Sequence, residues 1–246
     1  MIDSVIFDMD GLMFDTERVW ATLWEPALAT LGLSYKEGLD VAARGTAGDS
    51  MRAVLRQFYG PGCDTDAIME ALHAQAEIAF QAPPPKKPGL DELIAWLEAQ
   101  HIPMAVASSS RMASIRHHLD GWGLTHYFKV IVSGEQFSAS KPDPEIFLRA
   151  AEALGTVPGR TLVLEDSYNG VRAGAAGHFV TVMVPDMAPP MTRCAVCTPP
   201  SAAICTKYWT GCRTEGSDRK NIMPDSPQAV RHDVFFILQI PDRWAG

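Results

Sequence analysis

The stretch Ser4–Gly11, with the sequence SVIFDMDG, leads a short apolar run directly into two carboxylates that are one residue apart. Side chains of an extended strand alternate between its faces, so Asp8 and Asp10 point the same way if the extension continues. In open parallel sheets, active sites lie at the carboxyl ends of the strands. Two acidic groups there are typical of a nucleophile and an acid/base beside a hard cation. At this point an acidic turn after an edge strand explains the pattern equally well.

Apolar runs recur along the chain and are separated by helical patterns. Each helical pattern places its apolar residues on one face. This alternation predicts an α/β fold, in which a Rossmann-like parallel sheet carries helices on both faces. The predicted strands are Ser4–Phe7, Pro103–Ala107, Lys129–Ser133, Thr161–Glu165 and Phe179–Val184.

Roughly 95 residues separate the first two predicted strands, which is too many for a single crossover. They show helical periodicity, and Pro26 is expected to kink or split the first helix. We therefore predict a small helical cap domain at 16–81, inserted into a catalytic core formed by 1–15 and 82–186. The cap is either purely structural or a lid that excludes water, and its position directly after the two aspartates favours the lid.

The composition is that of a soluble globular protein of 246 residues with a net charge of −8. This charge argues against a general basic surface for binding nucleic acid. No apolar run approaches the roughly 20 residues that span a bilayer, and the N-terminus enters the first strand without a targeting segment. We expect a cytoplasmic monomer with neither a nucleic-acid nor a membrane partner.

Polar motifs follow three later predicted strands. Ser108 precedes a predicted helix and is either part of a phosphate seat or a simple N-cap. Lys141 precedes two closely spaced prolines, so it is either held near a site or exposed in a turn. Glu165 and Asp166 either complete an oxygen shell for Mg²⁺ or form another acidic turn. An acidic pair, a serine, a lysine and a second acidic pair on successive strand ends favour a single site.

Four segments carry these residues: Asp8–Glu17, Ala107–Ser110, Ser140–Glu145 and Glu165–Gly170. Together they resemble the motifs of the haloacid dehalogenase superfamily of hydrolases, in its capped phosphatase and β-phosphoglucomutase-like branch. The resemblance covers residues 1 to about 186. It implies a Mg²⁺-dependent phosphatase that acts on small phosphorylated metabolites, such as sugar phosphates, through an aspartyl-phosphate.

The resemblance also implies a role for each acidic residue. Asp8 would attack phosphorus, and Asp10 would protonate the leaving oxygen and then activate water. Mg²⁺ would be bound by Asp8, the backbone carbonyl of Asp10 and Asp166, with Glu165 close by. The cost of such a transfer is mostly one of charge, which a cation, a lysine and oriented N–H groups can stabilise.

The same resemblance implies how the phosphoryl group is held and which reaction follows. Ser108 and Lys141 would bind phosphoryl oxygens, with help from the backbone of Ser109. Mutase members use a cap histidine, whose place is taken here by Trp20, and a cap arginine that grips a second phosphate. Arg44 is not at that arginine's place and is either a substrate contact or a solvated residue. These departures favour hydrolysis over a hexose-phosphate mutase, and a non-catalytic binding protein on the same fold is the third alternative.

The segment 187–246 departs from the pattern of the preceding chain. It is net basic, lacks a sustained helical or alternating period and holds four of the five cysteines. The second pair of these cysteines is spaced too widely for an ordinary zinc site. We interpret the segment as an atypical tail that is disordered or foreign to the fold, for instance through a reading-frame shift near the end of the gene.

Overall fold

The computed structural model describes residues 2–44, 46, 48–184 and 186. The interpretations of the tail at 187–246, including the weak case for zinc, lie outside these residues. None of the described helices is both long and apolar enough to cross a bilayer.

Five parallel strands form one sheet. They are β1 (Ser4–Phe7), β2 (Met104–Ser108), β3 (Phe128–Ser133), β4 (Thr161–Glu165) and β5 (Val180–Met183). Their spatial order is β3-β2-β1-β4-β5, so β1 is central, with Phe7 opposite Val106 on one side and Leu164 on the other. Asp8 therefore emerges at the middle of the carboxyl edge of the sheet.

Helices account for most of the remaining described chain. The α-helices are α1 (Thr16–Thr30), α2 (Leu39–Ala43), α3 (Gly48–Tyr59), α4 (Thr65–Ala79), α5 (Leu90–Ala99), α6 (Met112–Gly121), α7 (Glu145–Leu154) and α8 (Tyr168–Ala176). Short 3₁₀ helices cover Thr125–Tyr127, Gly134–Gln136 and Pro158–Arg160. The first five α-helices lie between β1 and β2 in the chain, and α6, α7 and α8 each connect two successive later strands.

Alternation along β1 divides the apolar core between the two faces of the sheet. Val5 and Phe7 belong to a cluster that α5 and α6 complete, whereas Ile6 belongs to a second cluster with Phe147 of α7. These side chains are almost completely buried, and each contributes about 1.5–3 kcal/mol through burial of apolar surface. The predicted α/β fold, a parallel sheet with helices on both faces, is confirmed.

Residue contacts divide the chain into two compact units. The first comprises the described residues up to Phe14 and those from Lys86 onward, and it contains the sheet. The second is the helical segment Asp15–Pro85, a few residues longer than the 16–81 predicted for the insert.

The helical unit has an apolar core of its own. Its helix α1 packs mainly against α4, and Leu28 and Leu55 are fully buried. Pro26 was expected to kink or split α1, and the split is excluded because the helix continues through the proline. Trp24 and Leu28 are buried on either side of Pro26, and this packing compensates for the one backbone hydrogen bond that proline cannot make.

Candidate active site

The sheet itself positions the first aspartate of the site. The backbone N–H of Asp8 donates to the carbonyl of Leu164 at 3.0 Å, which extends the pairing of β1 with β4 by one residue. On the neighbouring strands, Ser108 ends β2 and Glu165 ends β4. The predicted strand-end residues of the sheet therefore lie along one edge, as parallel pairing requires.

Lys141 connects the two carboxylates at the centre of this edge. Its Nζ donates to Oδ1 of Asp8 and to Oε1 of Glu165, the latter at 2.7 Å, and it lies 4.8 Å from the ring centroid of Phe147. The side chains of Lys141, Asp8 and Glu165 are only 7%, 9% and 1% exposed. The alternative of a solvated lysine in a turn is wrong, because this ammonium is buried between two carboxylates.

Burial and charge shift the pKa of both partners in this pair. Burial raises the pKa of Asp8 to about 8, the charge of Lys141 opposes that rise, and the charges of Glu165 and Asp10 add to it. Burial by itself would lower the pKa of Lys141, but the charges of Asp8 and Glu165 raise it above its ordinary value. The cluster thus carries more negative charge than one lysine neutralises, and further positive charge would stabilise it.

Three carboxylates of this cluster are arranged as cation ligands. One oxygen from each of Asp8, Glu165 and Asp166 lies within 4.8 Å of the other two. Clustered oxygen donors with excess negative charge fit a hard divalent cation such as Mg²⁺. The predicted metal ligand of Asp10 is its backbone carbonyl. The side chain of Asp10 points towards a pair of serines.

Two glycines leave the space that these carboxylates occupy. Gly11 has φ +80°, and a Cβ there would lie 2.2 Å from Oδ2 of Asp166. A Cβ on Gly170 would lie 1.7 Å from Oε1 of Glu165. Both distances are far below van der Waals contact, so a side chain at either position would displace a carboxylate of the cluster.

Glu165 has hydrogen-bond donors at both of its oxygens. Oε1 accepts from Lys141, while Oε2 accepts from the backbone N–H of Ser167 at 2.8 Å and from its hydroxyl at 2.9 Å. Glu165 is therefore suited to orienting Lys141 and the start of α8, where Ser167 is the N-cap.

Asp10 is held by two hydroxyls. Ser110 Oγ donates to Oδ2 of Asp10 at 2.7 Å, and Ser108 Oγ donates to the same oxygen at 3.1 Å. The sequence reasoning did not select Ser110, although it is the third of three consecutive serines before α6. The alternative of a serine N-cap is wrong, because the N-cap of α6 is Arg111 and no side chain caps that helix.

The helical unit contains the remaining predicted residue. Arg44 follows α2 and forms ion pairs with Glu17 at 3.5 Å and Asp40 at 3.8 Å. Its contact with substrate remains a prediction. Trp20 packs against Phe80 with ring centroids 5.5 Å apart and borders the core of this unit.

His118 is a buried titratable group of the first unit that the sequence reasoning missed. It lies on α6 with its ring 5.8 Å from that of Phe14, edge to face. Burial lowers the pKa of His118 and the nearby His117 lowers it further, whereas the charge of Asp10 opposes the change. This histidine therefore favours its neutral form at physiological pH.

Comparison with known families bears directly on this arrangement. The family model described as haloacid dehalogenase-like hydrolase matches residues 5–184. The chain belongs to this family. The matched segment contains every residue of the carboxylate cluster, its lysine and the three serines, and the resemblance inferred from the motifs is confirmed.

Individual relatives of this haloacid dehalogenase-like hydrolase are named phosphatases. The chain is 30% identical over 172 residues to the phosphorylated carbohydrates phosphatase of Thermotoga maritima, covering 70% of this chain and 80% of that protein. It is 30% identical over 186 residues to hexitol phosphatase B of Escherichia coli, covering 74% and 83%. A solved structure of a HAD family hydrolase from Deinococcus radiodurans, with bound phosphate and sodium, matches with a TM-score of 0.62 and 28% identity, covering 73% and 79%.

Proposed function

We propose that this protein is a Mg²⁺-dependent phosphatase that hydrolyses small phosphorylated metabolites, most simply sugar phosphates, through an aspartyl-phosphate on Asp8. One observation carries the proposal: the buried carboxylate of Asp8 is held by Lys141 within a cluster of carboxylates that could hold a metal ion. The relatives named as phosphatases of phosphorylated carbohydrates and hexitols support the choice of substrate class.

The first step transfers the phosphoryl group to the enzyme. An oxygen of Asp8 attacks phosphorus while the bond from phosphorus to the leaving oxygen breaks. The leaving oxygen takes the bonding electron pair and receives the proton of the Asp10 carboxyl group. The alcohol departs, leaving phosphorylated Asp8 and ionised Asp10.

The second step releases phosphate. The carboxylate of Asp10 accepts a proton from water as the water oxygen attacks phosphorus, and the bond between Asp8 and phosphorus breaks. Inorganic phosphate leaves, Asp8 regains its carboxylate and Asp10 is protonated for the next cycle. Dividing the displacement in this way replaces one difficult reaction with two easier ones.

Charge stabilisation in both steps falls to the residues around Asp8. Lys141 supplies one positive charge beside the phosphoryl oxygens, and Ser108 with the backbone of Ser109 supplies hydrogen-bond donors. The carboxylates of Asp8, Asp166 and Glu165, with the backbone carbonyl of Asp10, would hold Mg²⁺, which supplies further positive charge when bound.

The remaining assignments concern the helical unit and the reaction outcome. We assign substrate selection to the predicted cap at 16–81, with Arg44 as a candidate substrate contact. We further propose that the enzyme is a monomer and that it is cytoplasmic. Trp20 packs within the helical unit at the place of the mutase histidine, which favours water over a sugar hydroxyl as the acceptor. With β-glucose 1-phosphate, we expect free phosphate, whereas glucose 6-phosphate would establish the mutase alternative.

The central test measures hydrolysis of p-nitrophenyl phosphate with Mg²⁺ and with EDTA. We expect activity that requires Mg²⁺ and falls by at least about a thousandfold in Asp8→Asn, because the amide is not a nucleophile. Exposed Asp143→Asn is the matched control and should stay active. Equal activity in Asp8→Asn and wild type, or an inactive wild type with Mg²⁺, would contradict the proposal.

A further inference from the structure

The hydroxyls of two serines donate hydrogen bonds to one carboxylate oxygen of Asp10. Ser110 Oγ donates to Oδ2 at 2.7 Å and Ser108 Oγ donates to the same atom at 3.1 Å. The backbone N–H of Ser110 also donates to Ser108 Oγ at 3.0 Å. Both side-chain donors thus converge on Oδ2.

The two serines differ in what else they must do. Under the proposed function, Ser108 also donates to a phosphoryl oxygen. A hydroxyl has only one proton to donate, so Ser108 cannot hold Asp10 and the phosphoryl group at the same time. When phosphate is bound, Ser110 becomes the hydroxyl of this pair that still donates to Asp10.

Ser110 is well placed for that task because its own backbone is anchored. Its carbonyl accepts a hydrogen bond from Ser133 Oγ at 2.7 Å, and Ser133 is completely buried at the end of β3. Ser110 itself is partly buried, which limits competition from water for its hydroxyl. Ser133 at the end of β3 therefore fixes the backbone of Ser110, whose hydroxyl in turn orients the carboxylate of Asp10.

We infer that Ser110 is a positioning residue that holds the carboxyl group of Asp10 in line with the leaving oxygen while Ser108 engages the phosphoryl group. The inference rests on the proposed function, because it assigns proton transfer to Asp10. Its chemical consequence is selective. In the first step, losing the orientation of Asp10 slows only those displacements whose leaving oxygen must be protonated as the bond from phosphorus breaks, whereas the second step, in which Asp10 activates water, slows equally for every substrate.

The kinetic test compares two leaving groups in Ser110→Ala. With glucose 6-phosphate, whose alkoxide needs a proton, we expect kcat/KM, which depends only on the steps up to departure of the alcohol, to fall by about tenfold or more. With p-nitrophenyl phosphate, whose phenolate leaves without a proton, we expect kcat/KM to fall by under about threefold. Ser110→Thr keeps the hydroxyl and should restore most of the lost activity, and exposed Ser138→Ala is the matched control.

Two kinetic results and one structural result would overturn the inference. An equal loss of kcat/KM with both substrates would mean that Ser110 only supports the local structure, and no loss of kcat/KM with either would mean that it has no role in positioning. A wild type inactive with both substrates would instead contradict the proposed function, and a structural readout then decides the matter. Crystal structures with inorganic phosphate should show Asp10 on Ser110 in the wild type and displaced in Ser110→Ala; an unchanged Asp10 in the variant would overturn the inference without reference to turnover.

Discussion

The ammonium nitrogen of Lys141 lies 2.7 Å from Oε1 of Glu165 while it also donates to Oδ1 of Asp8. One buried cation therefore holds two carboxylates that would otherwise repel each other. Since Asp8 comes from the end of β1 and Glu165 from the end of β4, this relationship ties neighbouring strand ends together through a single side chain. Stability and chemistry therefore depend on the same contacts.

Replacing Lys141 with methionine should destabilise the protein and remove its activity. The change leaves Asp8 and Glu165 buried without their cation, which we expect to lower the free energy of unfolding by about 3 kcal/mol. Urea unfolding at pH 7.5 measures the loss. Lys129→Met is the matched control, because Lys129 is exposed and its loss should change little. Equal stability of Lys141→Met and wild type would show that the pair does not stabilise the fold.

Asp8→Asn should stabilise the metal-free protein increasingly as the pH rises. Burial raises the pKa of Asp8 to about 8, so the folded protein binds a proton that the unfolded chain releases near its ordinary value. Wild-type stability therefore falls as the pH rises through this window, by at most about 1.4 kcal/mol per pH unit, and the asparagine variant escapes this dependence. Urea unfolding in EDTA at pH 5, 6.5 and 8 compares the two proteins. If the difference in free energy of unfolding between Asp8→Asn and wild type were constant with pH, the raised pKa of Asp8 would be ruled out.

Gly11→Ala should weaken cation binding by displacing a carboxylate. A Cβ at Gly11 would lie 2.2 Å from Oδ2 of Asp166, and φ is +80°. Gly123→Ala is a matched control, since Gly123 has φ +66° with open space around it and carries only the backbone strain. We expect Mg²⁺ affinity by isothermal titration calorimetry to drop by about tenfold or more in Gly11→Ala alone. Equal Mg²⁺ affinities in the two variants would show that Asp166 is not a ligand of the cation.

His118→Gln should reduce the sensitivity of the fold to acid. Burial lowers the pKa of His118 in the folded protein. As the pH falls, the unfolded chain therefore takes up the proton of this histidine at a higher pH than the folded protein does. The contribution of His118 to the free energy of unfolding is therefore fully present above the pKa of about 6.5 in the unfolded chain. It decreases as the pH falls towards the lower pKa of His118 in the folded protein. Thermal unfolding at pH 7.5 and pH 5 should show a smaller drop in Tm for His118→Gln than for wild type. Exposed His73→Gln should behave as wild type does; identical acid sensitivity in both variants would contradict the role of burial.

The sequence determined the fold class because its evidence is local. The apolar run within Ser4–Phe7 and the helical patterns that follow specify strands and helices, and strand–helix alternation leads to a parallel sheet. The order of polar motifs on strand ends placed Asp8, Lys141 and Glu165 at one edge, since parallel strands share their carboxyl edge.

Only the tertiary structure decided how the side chains divide the work at that edge. Three serines in a row do not reveal which hydroxyl meets Asp10, because Ser108 and Ser110 reach it across about a hundred residues of chain through the packing of β2 against β1. The space that Gly11 leaves for Asp166 likewise depends on the close approach of separate loops. Sequence patterns specify elements and their order, whereas the direction of a side chain and the charge of its neighbours exist only once distant segments are packed together.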